Sequence, residues 1–363
     1  MLNQLRKEID TSIATFLTQI KKEYRLHLIN PILYESILEF SLRPGKRIRP
    51  LLLLLSYLGY APLNKKPNRA VYNASTCIEF LHNFMLIHDD IIDRSDLRRG
   101  KPTMHRVLRK TIPCVDQDKL GIDLAIIAGD IVYALAIDAF LSINEEPRRK
   151  EQALKYFIQT AAFTAMGEFI DTVQGVNQLK NIREKDVFLN YSLKTARYTF
   201  DCPLVTGAIL SGARKSEIRK LSQFGLLIGQ AFQIQDDIIG LFETEKKIGK
   251  SILSDLDEKK KTLLIVHAAR TLKGKKYSTF LKIFNKPKKT LKDLETIKTL
   301  LIEARSLNYA FMAVKSRIKE ADKILRSLSM HTSYRTLIGE SLFTLFQQSQ
   351  HVAEKNGLTI KIS

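Results

Sequence analysis

The chain has 363 residues, 45% hydrophobic and 26% charged, with 58 Lys plus Arg against 38 Asp plus Glu and a formal net charge of +20. That apolar content excludes a disordered chain, while 16 Gly, 10 Pro and no Trp argue against a turn-dense all-β fold and against collagen-like or linker sequence. Three dispersed cysteines, Cys77, Cys114 and Cys202, support neither a disulfide framework nor a zinc knuckle and point to a reducing, cytoplasmic setting.

The start of the chain, Met1 to Gln19, mixes Lys, Glu and Asp with apolar residues and does not read as a secretory leader. Leu5, Ile9, Ile13, Phe16 and Ile20 recur at steps of three and four, the period of an amphipathic helix. Breaks are expected at Pro31, at Arg43-Pro44-Gly45, near Pro62–Pro67, at Gly100–Pro102, around Glu145–Pro147 and near Pro287; they cut the chain into helix-length pieces. Two apolar stretches fall short of a membrane span, which needs about 20 apolar residues with few charges. Leu51–Leu55 is flanked by Arg49 and Ser56, and Leu124–Ile143 carries Asp130 and Asp138. Towards the C-terminus, Leu300, Ala304, Leu307, Phe311 and Val314 keep the helical period. With no run of hairpin signals, no linker and no fixed-period repeat, the expectation is one all-α domain over residues 1–363, built from a dozen or so helices.

The positive charge is densest from Lys273 to Lys298. That stretch lacks a zinc finger, an RNP-type aromatic motif and an arginine-rich arm, so nucleic acid is not expected. It reads as a solvated face, with at most a weak contact to a membrane surface.

Chemistry is signalled by carboxylates. His88-Asp89-Asp90-Ile91-Ile92-Asp93 closes the apolar segment Phe80–Ile87. On a helix, Asp89 and Asp93 share one face, where two like charges repel unless a cation sits between them. Mg²⁺ suits such a place, taking one or two carboxylates and leaving other positions for water and phosphate. Asp236-Asp237 closes a second apolar segment in the same way, and matched copies favour a shared metal site over two helix caps. Basic residues flank both: Lys46, Arg47 and Arg49 in Gly45–Pro50, then Arg98-Arg99, Lys194-Thr195, Lys250, and Lys260 near Asp255. Fixed Lys and Arg beside metal-binding Asp suit a polyphosphate, and could stabilise charge on a departing diphosphate.

These motifs, GKRIRP at Gly45–Pro50, DDIIDRSDLRRGKPT from Asp89, Lys194-Thr195, QIQDD at Gln233–Asp237, and Gly249-Lys250 with SDLDEKKKT at Ser254–Thr262, resemble in order and spacing those of the trans-isoprenyl diphosphate synthases. The resemblance covers about residues 40 to 265; beyond about Thr271 only the helical character matches. It implies an all-α bundle around a central cavity, a homodimer, and Mg²⁺-dependent head-to-tail condensation of isopentenyl diphosphate with an allylic diphosphate. It further implies that Asp89, Asp93 and Asp236 bind about three Mg²⁺ ions. Arg98, Lys194, Lys250 and Lys260 would hold the allylic diphosphate, and Lys46, Arg49, His82 and Arg99 the isopentenyl diphosphate. Thr195 and Gln233 would turn oxygens towards the cation, while Asp90, Asp237 and Asp255 orient metals, waters and lysines.

A carbocation must be kept from water, so an apolar wall is expected, made of Phe80, Leu81, Phe84 and Met85. In the family, an aromatic five residues before the first Asp, as Phe84 is here, resembles enzymes that make the twenty-carbon geranylgeranyl diphosphate; farnesyl and longer products are the alternatives. One position departs from the pattern: Gly240 stands where the second motif usually has a third Asp. A non-catalytic partner subunit of a synthase is therefore the rival reading. A terpene cyclase fits less well, because it would leave Lys46, Arg49 and Arg99 idle.

Overall fold

The computed structural model describes residues 1–62, 69–98, 100–111, 113–244 and 252–355. Arg99, Gly249 and Lys250 lie outside the described residues, as does most of the expected break at Pro62–Pro67. In chain order the helices are α1 (Leu2–Glu23), α2 (Leu26–Ile29), α3 (Pro31–Ser41), α4 (Ile48–Tyr60), α5 (Arg69–Ile92), α6 (Met104–Leu108), α7 (Gln117–Leu141), α8 (Pro147–Val176) and α9 (Glu184–Asn190). A π-helix, Tyr191–Asp201, follows; then come α10 (Cys202–Ser211), α11 (Lys215–Phe242), α12 (Ser254–Asp257), α13 (Leu263–Thr271), α14 (Gly274–Phe284), α15 (Leu291–Glu303), α16 (Ser306–Arg326), α17 (Thr332–Phe343) and α18 (Gln347–Lys355). The all-α expectation holds. The exception among the described residues is a two-residue antiparallel ladder, with Leu97 opposite Pro102 and Arg98 opposite Lys101, and Gly100 at φ +72°. A ladder this short carries no alternation for the sequence to display.

The chain divides into two compact units. The first comprises Met1–Ile158, Cys202–Ile218 and Met330–Leu337; the second comprises Gln159–Asp201, Arg219–Ser329 and Ile338–Ser363.

In the first unit, Leu5, Ile9, Ile13, Phe16 and Ile20 of α1 are all buried, as their period requires. Pro31 opens α3 at its first turn, where its missing N–H costs nothing, and the Asn30 side chain caps that end by accepting from the Leu33 N–H. Leu51–Leu55 lies in α4, whose residues Pro50 to Gly59 are all buried, against the equally buried α10. An all-round apolar helix is thus explained by burial. Gly207 makes that packing close: a Cβ there would stand 2.4 Å from the Leu53 carbonyl oxygen. By length and composition α7 could cross a bilayer, which the sequence reading did not allow it. It packs as a core helix against α5, burying Ala125, Ala128, Val132, Leu135 and Phe140, and leaves Ile122, Ile126 and Ile127 exposed.

In the second unit, the C-terminal periodic run splits in two, because Arg305 adopts left-handed φ of 55° between α15 and α16. The Lys-rich stretch differs from a uniformly solvated face. Lys276, Lys286 and Lys298 pair with Glu303, Asp293 and Glu295, and Lys289 is buried at 5% exposure.

Lys289 and the equally buried Lys261 have their ammonium pKa pushed down to about 8, chiefly by burial. In the unfolded chain the same groups hold their protons to about pH 10.5. The unfolded state therefore binds more protons between these values, and stability should rise with pH across that window and stay flat from these groups below it. A Lys261→Met/Lys289→Met variant should lack this rise when urea-melting free energies at about pH 7.5 and about pH 9.5 are compared with wild type.

Candidate active site

In the first unit, Asp89 sits in the last turn of α5, and the Asp93 N–H continues the helical ladder to the Asp89 carbonyl at 2.8 Å. One oxygen from each carboxylate lies within 4.8 Å of the other. Both acids stand at the negative end of the helix dipole, where anions are disfavoured by about 0.3–1 kcal/mol each. An all-oxygen pair placed against both dipole and mutual repulsion fits a hard divalent cation such as Mg²⁺. Asp90, next to Asp89 in the chain, is fully buried, and burial lifts its carboxyl to about 6 even though the Arg98 guanidinium pulls the other way. Arg98, on the short ladder, donates Nε–H to Asp90 at 2.7 Å and Nη2–H to Asp89 at 3.2 Å.

The GKRIRP turn divides its cations by burial. Lys46 is exposed and Arg49 half-buried at the start of α4, while Arg47 is 4% exposed. Arg47 takes a left-handed φ of 47° and donates to Asp10 of α1 (2.7 Å), to Glu79 of α5, and to the carbonyls of Ser41 and Arg43. It thereby fixes the turn on which Lys46 and Arg49 ride. His82 is buried on α5.

Phe80 and Leu81, expected in the apolar wall, belong instead to the core: both are at most 1% exposed, and the Phe80 ring lies 5.5 Å from Phe16. Phe84 and Met85 are half-buried. The Phe84 ring meets His88 at 4.7 Å and Tyr133 of α7 at 5.0 Å. Tyr133 had no sequence signal, since its place opposite Phe84 depends on how α5 and α7 pack.

In the second unit, Lys194 and Thr195 ride on the π-helix, a wide turn type concentrated at functional sites. Lys194 Nζ donates to Asp171 (2.7 Å) and Glu168 (2.9 Å), both on α8. Gly167 permits this approach, because a Cβ there would stand 2.4 Å from the Lys194 backbone nitrogen. The Thr195 hydroxyl donates to Gln233 Oε1 at 2.7 Å, and Gln233 Nε2 donates to Asp237 Oδ1 at 3.0 Å. Tyr191 donates its hydroxyl proton to Asp237 and accepts the Leu263 N–H at 2.8 Å. This chain fixes the Gln233 amide and commits the Thr195 proton, leaving the threonine oxygen lone pairs for an electron-poor neighbour. Burial pushes the Asp237 carboxyl up to about 8 and raises the Tyr191 phenol.

Lys194, Thr195, Gln233, Asp237 and Lys260 line one small cavity of about 60 Å³. Asp236, the next acid on α11, is exposed and not among its lining residues. Lys260 pairs with Asp255 at 3.3 Å and Glu258 at 2.9 Å. At Gly240 a Cβ would stand 2.5 Å from Asp255 Oδ2. A carboxylate thus fills the space beside Gly240, supplied by residue 255 rather than by residue 240.

Glu168, Asp171 and Tyr191 went unread in the sequence. The first two had a faint signal, a pair of acids three residues apart in the last turns of a helix. Nothing in the pattern marks the tyrosine.

The chain is similar to known proteins over most of its length. The family model for polyprenyl synthetase matches residues 30–301. The short chain isoprenyl diphosphate synthase of Methanocaldococcus jannaschii is 31% identical over 304 residues, covering 84% of this chain and 83% of the relative. The geranylgeranyl diphosphate synthase of Sulfolobus acidocaldarius is 32% identical over 316 residues, covering 86% and 88%. The crystal structure of geranylgeranyl pyrophosphate synthase from Corynebacterium glutamicum, complexed with isoprenyl diphosphate and magnesium, matches with a TM-score of 0.86. It covers 96% of this chain and 99% of that one at 23% identity, a likeness of fold alone.

Proposed function

This chain belongs to the polyprenyl synthetase family and is a trans-prenyltransferase, and we propose that it extends an allylic diphosphate with isopentenyl diphosphate to give geranylgeranyl diphosphate. The observation that carries the reading is the Asp89–Asp93 pair at a helix C-terminus with Arg98 fastened beside it.

In this reading Asp89, Asp93 and Asp236 hold Mg²⁺, about three ions, which when bound neutralises the diphosphate as its bond to carbon breaks. Lys194, Lys260, Arg98 and Lys250 grip the allylic diphosphate. Lys46, Arg49, His82 and Arg99 hold the isopentenyl diphosphate. The C–O bond of the allylic substrate breaks with its electron pair going to the departing diphosphate. The double bond of isopentenyl diphosphate then attacks the allylic carbon, and a proton is lost to the released diphosphate. Thr195, its proton committed to Gln233, turns oxygen lone pairs to the cation. Glu168 and Asp171 hold the Lys194 ammonium extended. Asp255, beside Gly240, favours catalysis over the partner-subunit reading, because a carboxylate is still supplied there.

The exposed Ile122, Ile126 and Ile127 of α7 support a homodimer, a second copy covering that face. The chain is proposed to act in the cytoplasm as one catalytic domain, with the motif-bearing core at about residues 40–265.

Purified protein given labelled isopentenyl and farnesyl diphosphates should yield a twenty-carbon product. No condensation with any allylic primer would point to the partner-subunit reading, and a cyclised hydrocarbon to a cyclase. Phe84, with Met85 beside it, is proposed as the floor for the growing tail. One helical turn is about 5.4 Å, close to one isoprene unit, so Phe84→Ala should lengthen the product by five carbons or more on chromatography. An unchanged twenty-carbon product would remove Phe84 from that role.

A further inference from the structure

The Lys-rich stretch has no part in the reaction described so far, yet it contains a lysine buried to 5% exposure. Lys289 reaches back to α12: its Nζ donates to the Leu256 carbonyl and its backbone N–H donates to Asp257 Oδ1 at 2.8 Å. These are the two residues that follow Asp255, and Lys260 comes three residues later. We propose that Lys289 is a positioning residue that clamps α12, so that the C-terminal helices set the grip of Lys260 on the diphosphate. This rests on the reading of Lys260 as a diphosphate ligand.

Three observations support the clamp. First, α12 is a single turn of four residues followed by Lys259 at a left-handed φ of 54°. A helix so short does not hold itself, and a non-glycine residue at positive φ persists only when its surroundings impose it. Second, two lysine ammoniums at the segment meet one ring. Lys261 donates to the Gly175 carbonyl at 2.7 Å, and its Nζ lies 5.7 Å from the centre of the Phe284 ring. The Lys289 ammonium lies 5.9 Å from the same centre. Phe284 is 1% exposed. The two cations thus pin the segment Leu256–Lys261 at its two ends, and the Lys260 ammonium between them is aimed at Asp255 and Glu258. Third, burying an ammonium costs free energy that a methionine of similar length would not incur. Packing alone does not call for lysine here; the Leu256 carbonyl that its ammonium reaches, with the Asp257 charge nearby, does.

The test compares Lys289→Met and Lys289→Arg with wild type in the full chain. Binding of inorganic pyrophosphate in Mg²⁺ is read by calorimetry, alongside KM for each substrate. Lys289→Met should weaken pyrophosphate binding and raise KM for the allylic diphosphate by about tenfold, the usual scale for losing a supporting partner. KM for isopentenyl diphosphate should not move, and Lys289→Arg should recover most of the loss. Wild-type pyrophosphate affinity in a folded Lys289→Met protein would overturn the clamp, as would an equal loss for both substrates. If Lys289→Met does not fold, Asp257→Ala removes the other anchor, the acceptor of the Lys289 N–H, and should give the same split between substrates; an unsplit result there also overturns it. Lys260→Met separates the two claims: unaltered pyrophosphate binding in that variant refutes the ligand reading itself, whatever Lys289 does.

Discussion

Asp93→Asn should reduce kcat/KM by about a thousandfold, the effect of losing one strong electrostatic contact to a developing charge, near 4 kcal/mol. The substitution keeps the side-chain shape and removes only charge. Asp93 carries that charge at the C-terminal end of α5, within 4.8 Å of another carboxylate. Neutralising it relieves repulsion from Asp89 and from the helix dipole. The thermal midpoint should therefore hold steady or rise slightly while activity collapses. Loss of both together, measured by calorimetry and a condensation assay on one preparation, would mark Asp93 as a structural residue.

Gly229→Ala should have the second largest effect, acting through packing. The added Cβ would stand 2.3 Å from the Ala196 Cα. A backbone atom cannot swing aside as a side-chain tip can, so α11 and the π-helix must separate. Overpacking of this kind costs about 1–3 kcal/mol, and the contact with backbone places this case at the upper end. Thr195 and Lys194 lie one and two residues from the point of contact, and a displacement near 1 Å costs about a hundredfold in rate. Gly175→Ala is the control: its Cβ would meet only the Glu258 carbonyl oxygen, at 3.7 Å. That variant should melt and turn over close to wild type.

The parts of the molecule legible in the sequence are those set by local period or by short spacing. The α1 face is buried as its pattern requires, and the Asp89–Asp93 spacing does place two carboxylates together. Residues whose role depends on distant chain were not legible. Leu51–Leu55 is too short to span a bilayer, but why it is apolar on every side shows only where α10 covers it. Phe80 and Leu81 share the apolar spacing of Phe84, and only packing against α1 separates core from half-buried wall. The carboxylates that hold Lys194 come from α8, 23 and 26 residues away. The π-helix follows from no propensity of Tyr191–Asp201; glycines on two other helices let it be approached closely. The Lys-rich stretch read as one solvated surface because composition alone does not distinguish the buried Lys289 from its exposed neighbours.

The central claim is that acidic helix ends grip the substrate's diphosphate through a divalent cation. Calorimetric titration with an unreactive thio-analogue of farnesyl diphosphate tests it most directly, in Mg²⁺ and again in EDTA. Strong binding is predicted in Mg²⁺, with a loss of about a hundredfold or more in EDTA and in the Asp93→Asn variant. Equal affinity in both buffers would contradict the claim.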